Sequence, residues 1–201
     1  QAGRVQDLLR VVGRAAISPA AKELFGKFDE IGEIEQIAKP RNLKVAQFRD
    51  YQRRGFSWLV FLHGLGTGGI LADDMGLGKT LQAIALLLWL KNGKPKTHRP
   101  TLVVAPTSVV PNWAREIEKF APSLTTLIWQ GADRHEQKSK MEEVDVVITS
   151  YALMRRDEEI LNALELRYVI LDEAQHIKNP LSATARAAKR LKSERRLALT
   201  G

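Results

Sequence analysis

Two short stretches of this chain carry side chains whose types and order could act on a phosphate ester. The first is Asp73-Asp74-Met75-Gly76-Leu77-Gly78-Lys79-Thr80. Gly76 and Gly78 permit a tight curl that turns backbone N–H groups toward anionic oxygens. Lys79 supplies a charge that reaches the outer phosphates, and the Thr80 hydroxyl can ligate Mg²⁺. The strict phosphate-loop pattern has a glycine where Asp73 stands, so the match departs from it at that residue. The second stretch is Asp172-Glu173, delivered by the apolar run Tyr168-Val169-Ile170-Leu171. Asp172 can hold Mg²⁺, mostly through water, while Glu173 can orient and polarise an attacking water. Together they describe hydrolysis of a nucleoside triphosphate. Taken one at a time, the same residues also read as a glycine turn before a helix and as two solvated acids at a helix start.

These groups can meet only if the fold gathers the ends of distant segments. Ile70-Leu71-Ala72 reads as a strand before the loop, and the residues from Thr80 read as a helix after it, which is the context the motif requires. Further strands are expected at Thr101–Ala105, Thr125–Trp129, Val144–Thr149, Tyr168–Leu171 and Arg196–Leu199, with the first over Gly69–Ala72. Most are short, β-branched and apolar on both faces, as in a parallel sheet covered by helices on each side. Helices are expected at Thr80–Lys91, Val110–Phe120, Arg134–Met141, Tyr151–Ala163 and Leu181–Leu191. The alternation predicts an α/β fold: a doubly wound, mainly parallel sheet with helices on both faces and ligands beyond the carboxyl ends of the strands. Parallel neighbours would then set the acidic pair beside the phosphate loop. Upstream, Phe48, Tyr51, Gln52, Phe56, Leu59, Val60 and Leu62 suit a helix with one buried face, ended by the glycine-rich run His63–Gly69. Residues 1–24 have partly helical spacing, with a helix start at Ser18-Pro19, and residues 25–44 read as a linker carrying Gly26, Gly32 and Pro40. The expected division is a leader over residues 1–44 and a nucleotide-binding lobe over 45–201.

Composition narrows the class. The 201 residues are 44% hydrophobic, enough for a core, and contain no cysteine, which excludes a disulfide scaffold and a thiol nucleophile. The most apolar run, Ile84–Leu90, falls far short of the ~18 residues a membrane span needs, so no membrane partner is expected. The net charge of +8 favours phosphate backbones or anionic membranes as partners, although it also serves solubility. The chain starts without methionine and stops at Thr200-Gly201 just past a strand-like run, so a fragment of a longer protein is expected.

In its successive blocks the sequence resembles the Swi/Snf-type ATPases of helicase superfamily two, over Val45 to Gly201. Arg49-Asp50-Tyr51-Gln52 with Gly55 and Trp58 resembles the adenine-recognition segment, which implies that Gln52 reads adenine. Asp73–Thr80 resembles the family's phosphate loop, in which an acidic pair and Met75 precede Gly76, Leu77, Gly78, Lys79 and Thr80; the departure at Asp73 belongs to that form. Ala105-Pro106-Thr107-Ser108 with Trp113 and Glu116, and Ile148-Thr149-Ser150-Tyr151, resemble blocks that touch the nucleic-acid backbone. This implies contacts from Thr107, Ser108, Thr149 and Ser150, for which plain helix capping is the competing reading. Asp172-Glu173-Ala174-Gln175-His176 resembles the Mg²⁺ and water-activating segment, and Leu197–Gly201 the start of a coupling block. The resemblance implies a RecA-like lobe using ATP and Mg²⁺, acting on double-stranded DNA with a second RecA-like lobe of the same full-length chain, and translocating to remodel protein–DNA complexes. It implies an intracellular setting, nucleoid or cytoplasmic in a prokaryote and nuclear in a eukaryote. The compact spacing of the blocks favours a prokaryote. The missing lobe normally supplies arginines to the γ-phosphate, so this fragment is expected to hydrolyse ATP slowly.

Other readings remain open on the residues alone. An RNA helicase of the DEAD-box type would use a second Asp where Gln175 stands and a Thr-Gly step in the loop. A GTPase would carry an Asn-Lys-x-Asp signature, which is absent. A nucleotide-sensing interaction module is compatible with the composition. The scattered His63, His98, His135 and His176 suggest no metal site of their own. Trp58, Trp89, Trp113 and Trp129 read as packing residues, and the basic clusters Lys91–Arg99 and Lys189–Arg196 as solvated surface.

Overall fold

The computed structural model describes residues 34–74 and 76–201. The helix expected within residues 1–24, its start at Ser18-Pro19, and Gly26, Gly32 and Met75 lie outside the described residues.

Among the described residues six strands form one sheet in which every pair is parallel. They are β1 (Gly69–Ala72), β2 (Thr101–Ala105), β3 (Thr126–Ile128), β4 (Val146–Ser150), β5 (Leu166–Leu171) and β6 (Ser193–Thr200), in the spatial order β1-β6-β5-β2-β4-β3. The helices are α1 (Asp50–Gly64), α2 (Lys79–Asn92), α3 (Val110–Phe120), α4 (Tyr151–Arg156), α5 (Glu158–Asn162) and α6 (Ala183–Arg190). Strand periodicity divides the core in two. Val103, Ala105, Val146, Ile148 and Ile170 join α1, α2 and α3 on one face. Leu102, Val104, Val147, Val169 and Leu171 join α4, α5 and α6 on the other. Alternate side chains of a strand point to opposite faces, so central strands covered on both sides must be apolar throughout. At the sheet edge this requirement lapses: Ile70 of β1 is 67% exposed.

Helix α2 is apolar nearly all round, with Leu81 and Gln82 through Leu88 and then Leu90 buried. Such a helix belongs inside a domain, and this one anchors the phosphate loop that runs into it. At the other end of the chain's described part, residues 37–44, expected in the leader, pack on the lobe. Leu43 is buried, Ile37 N–H donates to Ser57 Oγ at 2.9 Å, and Lys44 N–H donates to Phe120 O at 2.7 Å. The compact unit accordingly runs from Gln36 to Gly201.

Two expected helices differ. The stretch Tyr151–Ala163 breaks at Asp157, whose backbone leaves the helical region (φ −105°, ψ 26°). Its carboxylate turns inward to Arg134 Nε (2.6 Å), Arg134 Nη2 (2.9 Å) and Trp129 Nε1 (2.8 Å), and that buried cluster decides the break. The stretch Ala132–Glu142 forms 3₁₀ turns rather than an α-helix. Its only buried residues are Arg134 and Met141, so it has no apolar stripe to lay on the sheet. Among the described residues no helix is long and apolar enough to cross a membrane.

Candidate nucleotide and nucleic-acid site

Because every strand is parallel, all six carboxyl ends lie along one edge of the sheet. The phosphate loop leaves β1 there, the acidic pair leaves β5, Pro106–Ser108 leaves β2, and Ser150 and Thr200 close β4 and β6. The acidic pair is not next to the loop's own strand, as direct neighbours would have been. Strand β6 stands between β1 and β5, a separation of about 10 Å at ordinary strand spacing. Helix α2 spans the difference, since it packs with Val103 of β2 and Ile170 of β5 in one core. Lys79 opens that helix, and its charge acts on the Asp172 carboxylate.

The loop has the backbone its glycines allow. Gly76 and Gly78 have φ of 83° and 77°, in the left-handed region where a side chain is strained. A Cβ on Gly78 would also lie 2.6 Å from Gln52 Nε2. Gly78 offers no side-chain cap to α2, so the first-turn N–H groups of the helix are left for another acceptor. Lys79 Nζ donates to the carbonyls of Asp73 (2.6 Å) and Asp74 (3.1 Å). Gln52 is buried behind the loop. Its Oε1 accepts from Arg49 N–H at 3.1 Å, and its Nε2 donates to Leu77 O at 3.5 Å. Both of its polar ends therefore serve the turn from Arg49 and the phosphate loop. Thr80 is partly exposed in the first turn of α2.

Asp172 is fixed on every side. Its N–H donates to Val104 O (2.8 Å), Oδ1 accepts from Glu173 N–H (3.0 Å), Oδ2 accepts from the Trp113 indole (2.8 Å), and its carbonyl accepts from the Tyr151 hydroxyl (2.8 Å). Burial raises its pKa above the ordinary carboxylate value, against the pull of the Trp113 and Glu173 hydrogen bonds and of Lys79. Glu173 is held at φ 50°, ψ 54°, a costly conformation for a residue with a side chain and one that persists only where the surroundings impose it. Those surroundings are Asp172 before it and Gln175 after it. Gln175 Nε2 donates to Glu173 Oε2 at 2.7 Å, and Thr200 Oγ1 donates to Gln175 Oε1 at 3.1 Å. His176 stacks on Tyr151 with ring centroids 5.0 Å apart. The bracing roles of Trp113, Tyr151, Gln175 and Thr200 are not legible in sequence. One signal was available: a buried Trp or Tyr needs a partner for its polar atom.

The four hydroxyls part company. Thr107 and Ser108 are exposed on the turn that leads into α3. Thr149 is fully buried and donates to Trp129 O at 3.0 Å, while the buried Ser150 caps α4 by accepting from Leu153 N–H at 3.3 Å. Neither of these two presents its hydroxyl to a ligand at the edge. The basic clusters sit at the opposite, amino-terminal edge of the sheet. There Lys91 pairs with Asp145 at 2.7 Å, and Arg99 pairs with Glu165 and Glu194. Arg196 caps the carboxyl end of α6 through Ala188 O, Lys189 O and Leu191 O.

Comparison with known proteins places this geometry in a family. The SNF2-related domain matches residues 51–201. A putative ATP-dependent helicase/translocase of Bacillus subtilis, YwqA, is 45% identical over 157 residues, 76% of this chain and 17% of its own length. The TATA-binding protein-associated factor mot1 of Aspergillus fumigatus is 36% identical across 90% of this chain and 10% of its own. A human SWI/SNF-related regulator of chromatin, subfamily A member 1, is 39% identical across 81% of this chain and 16% of its own. Among solved structures, the Sulfolobus solfataricus SWI2/SNF2 ATPase core in complex with dsDNA superimposes with a TM-score of 0.75 at 46% identity, covering 83% of this chain and 34% of that one. The chain thus spans a minor part of each relative. The relatives come from bacteria, archaea, fungi and animals, and do not single out a prokaryotic source. By sequence, by its parallel six-stranded sheet and by the loops along one edge, the chain belongs to the SNF2-related family.

Proposed function

We propose that this chain binds ATP with Mg²⁺ and forms the first RecA-like lobe of a DNA-dependent ATPase that moves along duplex DNA and remodels protein–DNA complexes. The observation that carries the reading is that the glycine loop ending in Lys79, after β1, and the buried, hydrogen-bonded Asp172, at the end of β5, leave the same carboxyl edge of one parallel sheet. The names of the relatives agree: one is a putative ATP-dependent translocase and another an ATPase core with duplex DNA.

In this reading Lys79 exchanges the Asp73 and Asp74 carbonyls for phosphate oxygens, and the N–H groups of the glycine loop and α2 take the rest of the charge. The residues present fit Mg²⁺. Asp172 and Thr80 offer the hard oxygens it prefers, and the Asp172 carboxylate is held in one orientation by Trp113 and by the N–H of Glu173. When bound, the ion neutralises charge on the outer phosphates. Glu173 orients the water that attacks the γ-phosphorus and draws on its proton as the bond to ADP breaks. Gln52 meets the adenine, for which its two polar ends would leave Arg49 and Leu77. Thr107 and Ser108 hold the DNA backbone without reading bases; Thr149 and Ser150, with their hydroxyls committed inside, leave that set. The lobe takes in residues 37–44 together with 45–201, and the remaining leader precedes it. A second RecA-like lobe of the same full-length chain completes the site, and the lobe alone turns over slowly. The setting is intracellular, wherever duplex DNA is.

The test is ATP hydrolysis by the full-length protein with duplex DNA or single-stranded RNA added. Stimulation by duplex DNA is expected. Stimulation by RNA alone would move the reading to an RNA helicase, and ATP binding without hydrolysis would move it to a nucleotide sensor.

A further inference from the structure

Trp113 is fully buried on α3, and the only polar atom of its ring has a single use, the 2.8 Å hydrogen bond to Asp172 Oδ2. A phenylalanine would fill much of the same core volume but would leave Asp172 Oδ2 without this donor, so the indole does more here than pack. The helix that carries Trp113 begins directly after the exposed turn bearing Thr107 and Ser108. Its start is tied to that turn, because Val109 N–H and Val110 N–H both donate to Pro106 O, at 2.8 and 3.2 Å, and Trp113 N–H donates to Val109 O at 3.1 Å. Its inner face, Val110, Trp113 and Ile117, is fully buried. Glu116, one turn further along the helix, accepts from Asn112 Nδ2 at 3.1 Å within the same helix. The helix is therefore a short rigid body with the exposed turn at one end and Asp172 against its flank.

We infer that Trp113 is a positioning residue: its indole N–H fixes the Asp172 carboxylate in one orientation and links it, through α3, to the turn of Thr107 and Ser108. A nucleic-acid backbone gripped by that turn acts on the carboxylate by moving or steadying α3. This rests on the proposed function, in which Asp172 faces Mg²⁺ and the turn faces DNA.

The test uses the full-length protein carrying Trp113→Phe, with Ile117→Val as a control that trims the same helix face away from Asp172. ADP binding is measured by calorimetry in chelator and across a Mg²⁺ titration, alongside steady-state ATP hydrolysis with and without duplex DNA. In Trp113→Phe, ADP affinity without Mg²⁺ stays at the wild-type value and half-saturating Mg²⁺ rises by about tenfold, as loss of a hydrogen bond to a charged group predicts. Hydrolysis falls in kcat with little change in KM, and the factor by which duplex DNA stimulates it shrinks. Ile117→Val keeps all four quantities. If the Phe variant does not fold, replacing the residue by the sulfur isostere of tryptophan keeps the shape and removes only the N–H. Wild-type Mg²⁺ dependence and DNA stimulation in the N–H-deficient protein overturn the inference, as does an equal loss in Ile117→Val. Lys79→Ala separates the levels. Loss of nucleotide binding there, with a wild-type Trp113→Phe, overturns this inference alone, whereas retained binding overturns the phosphate-site reading beneath it.

Discussion

Lys79 Nζ donates to the carbonyl oxygen of Asp73 at 2.6 Å, so the cation of the phosphate loop closes on the loop's own backbone. A phosphate that enters must exchange that contact for a stronger, charge-assisted one. Lys79→Ala is expected to weaken ATP binding by at least about a hundredfold. Calorimetric titration of the full-length variant with ATP checks this, and unchanged affinity would remove Lys79 from the site.

Glu173 is held in a left-handed conformation between Asp172 and Gln175, and its Oε2 accepts from Gln175 Nε2 at 2.7 Å. Glu173→Gln keeps an oxygen for that bond and removes only the ability to take a proton. ATP affinity should stay within about twofold, while turnover falls by at least about a hundredfold, the usual scale for losing a general base. Single-turnover hydrolysis measures both, and surviving turnover would sink the assignment.

Thr107 and Ser108 are exposed, whereas Thr149 and Ser150 are not. Thr107→Ala with Ser108→Ala should weaken duplex DNA binding by at least about tenfold, two hydrogen bonds from hydroxyls to anionic phosphate oxygens being at stake. The loss should be the same on unrelated DNA sequences, because backbone contacts carry no base information. Fluorescence anisotropy on two duplexes of different sequence decides it; a loss on one only would mean base reading.

The Arg134 guanidinium, with help from the Trp129 indole, holds the Asp157 carboxyl below its ordinary value of 3.8. A depressed folded-state pKa contributes stability that is complete above the unfolded value and is lost as pH falls through the folded one. Asp157→Ala should therefore cost about 3 kcal/mol at neutral pH, because it strands a buried cation. The gap from wild type should be narrower at a pH well below the ordinary carboxyl value of 3.8 than at neutral pH. Urea unfolding at the two pH values measures the gap, and a constant difference would contradict the linkage.

Gly68 sits where a Cβ would press on the backbone carbonyl of Arg196, the residue of β6 just before the stretch that pairs with β1. Backbone cannot swing aside as a side-chain end can. Gly68→Ala should cost about 1–3 kcal/mol of stability, read as a fall in Tm, with ATP affinity kept because the contact lies at the edge away from the phosphate loop. A wild-type Tm would show that the strands separate there at no cost.

Much of the fold was legible because its causes are local. The short, β-branched apolar runs of β2, β4 and β5 suit strands covered on both faces, and the glycines of the loop permit the positive φ found at Gly76 and Gly78. Gly76, Gly78, Lys79 and the helix behind them follow from neighbours in the chain. So does helix α3, found at Val110–Phe120 as its periodicity predicts.

What the tertiary structure decided are the partners of polar atoms removed from water. Such an atom must find a hydrogen bond wherever the fold supplies one, and that place is distant in sequence. Trp113 finds Asp172 across 59 positions, Thr149 finds Trp129 across 20, and Asp157 breaks a helix to reach Arg134. The insertion of β6 between β1 and β5 is of the same kind. Periodicity says that a segment is a strand, but only the packing of the whole sheet chooses its neighbours, and with them the distance across which Lys79 and Asp172 must act.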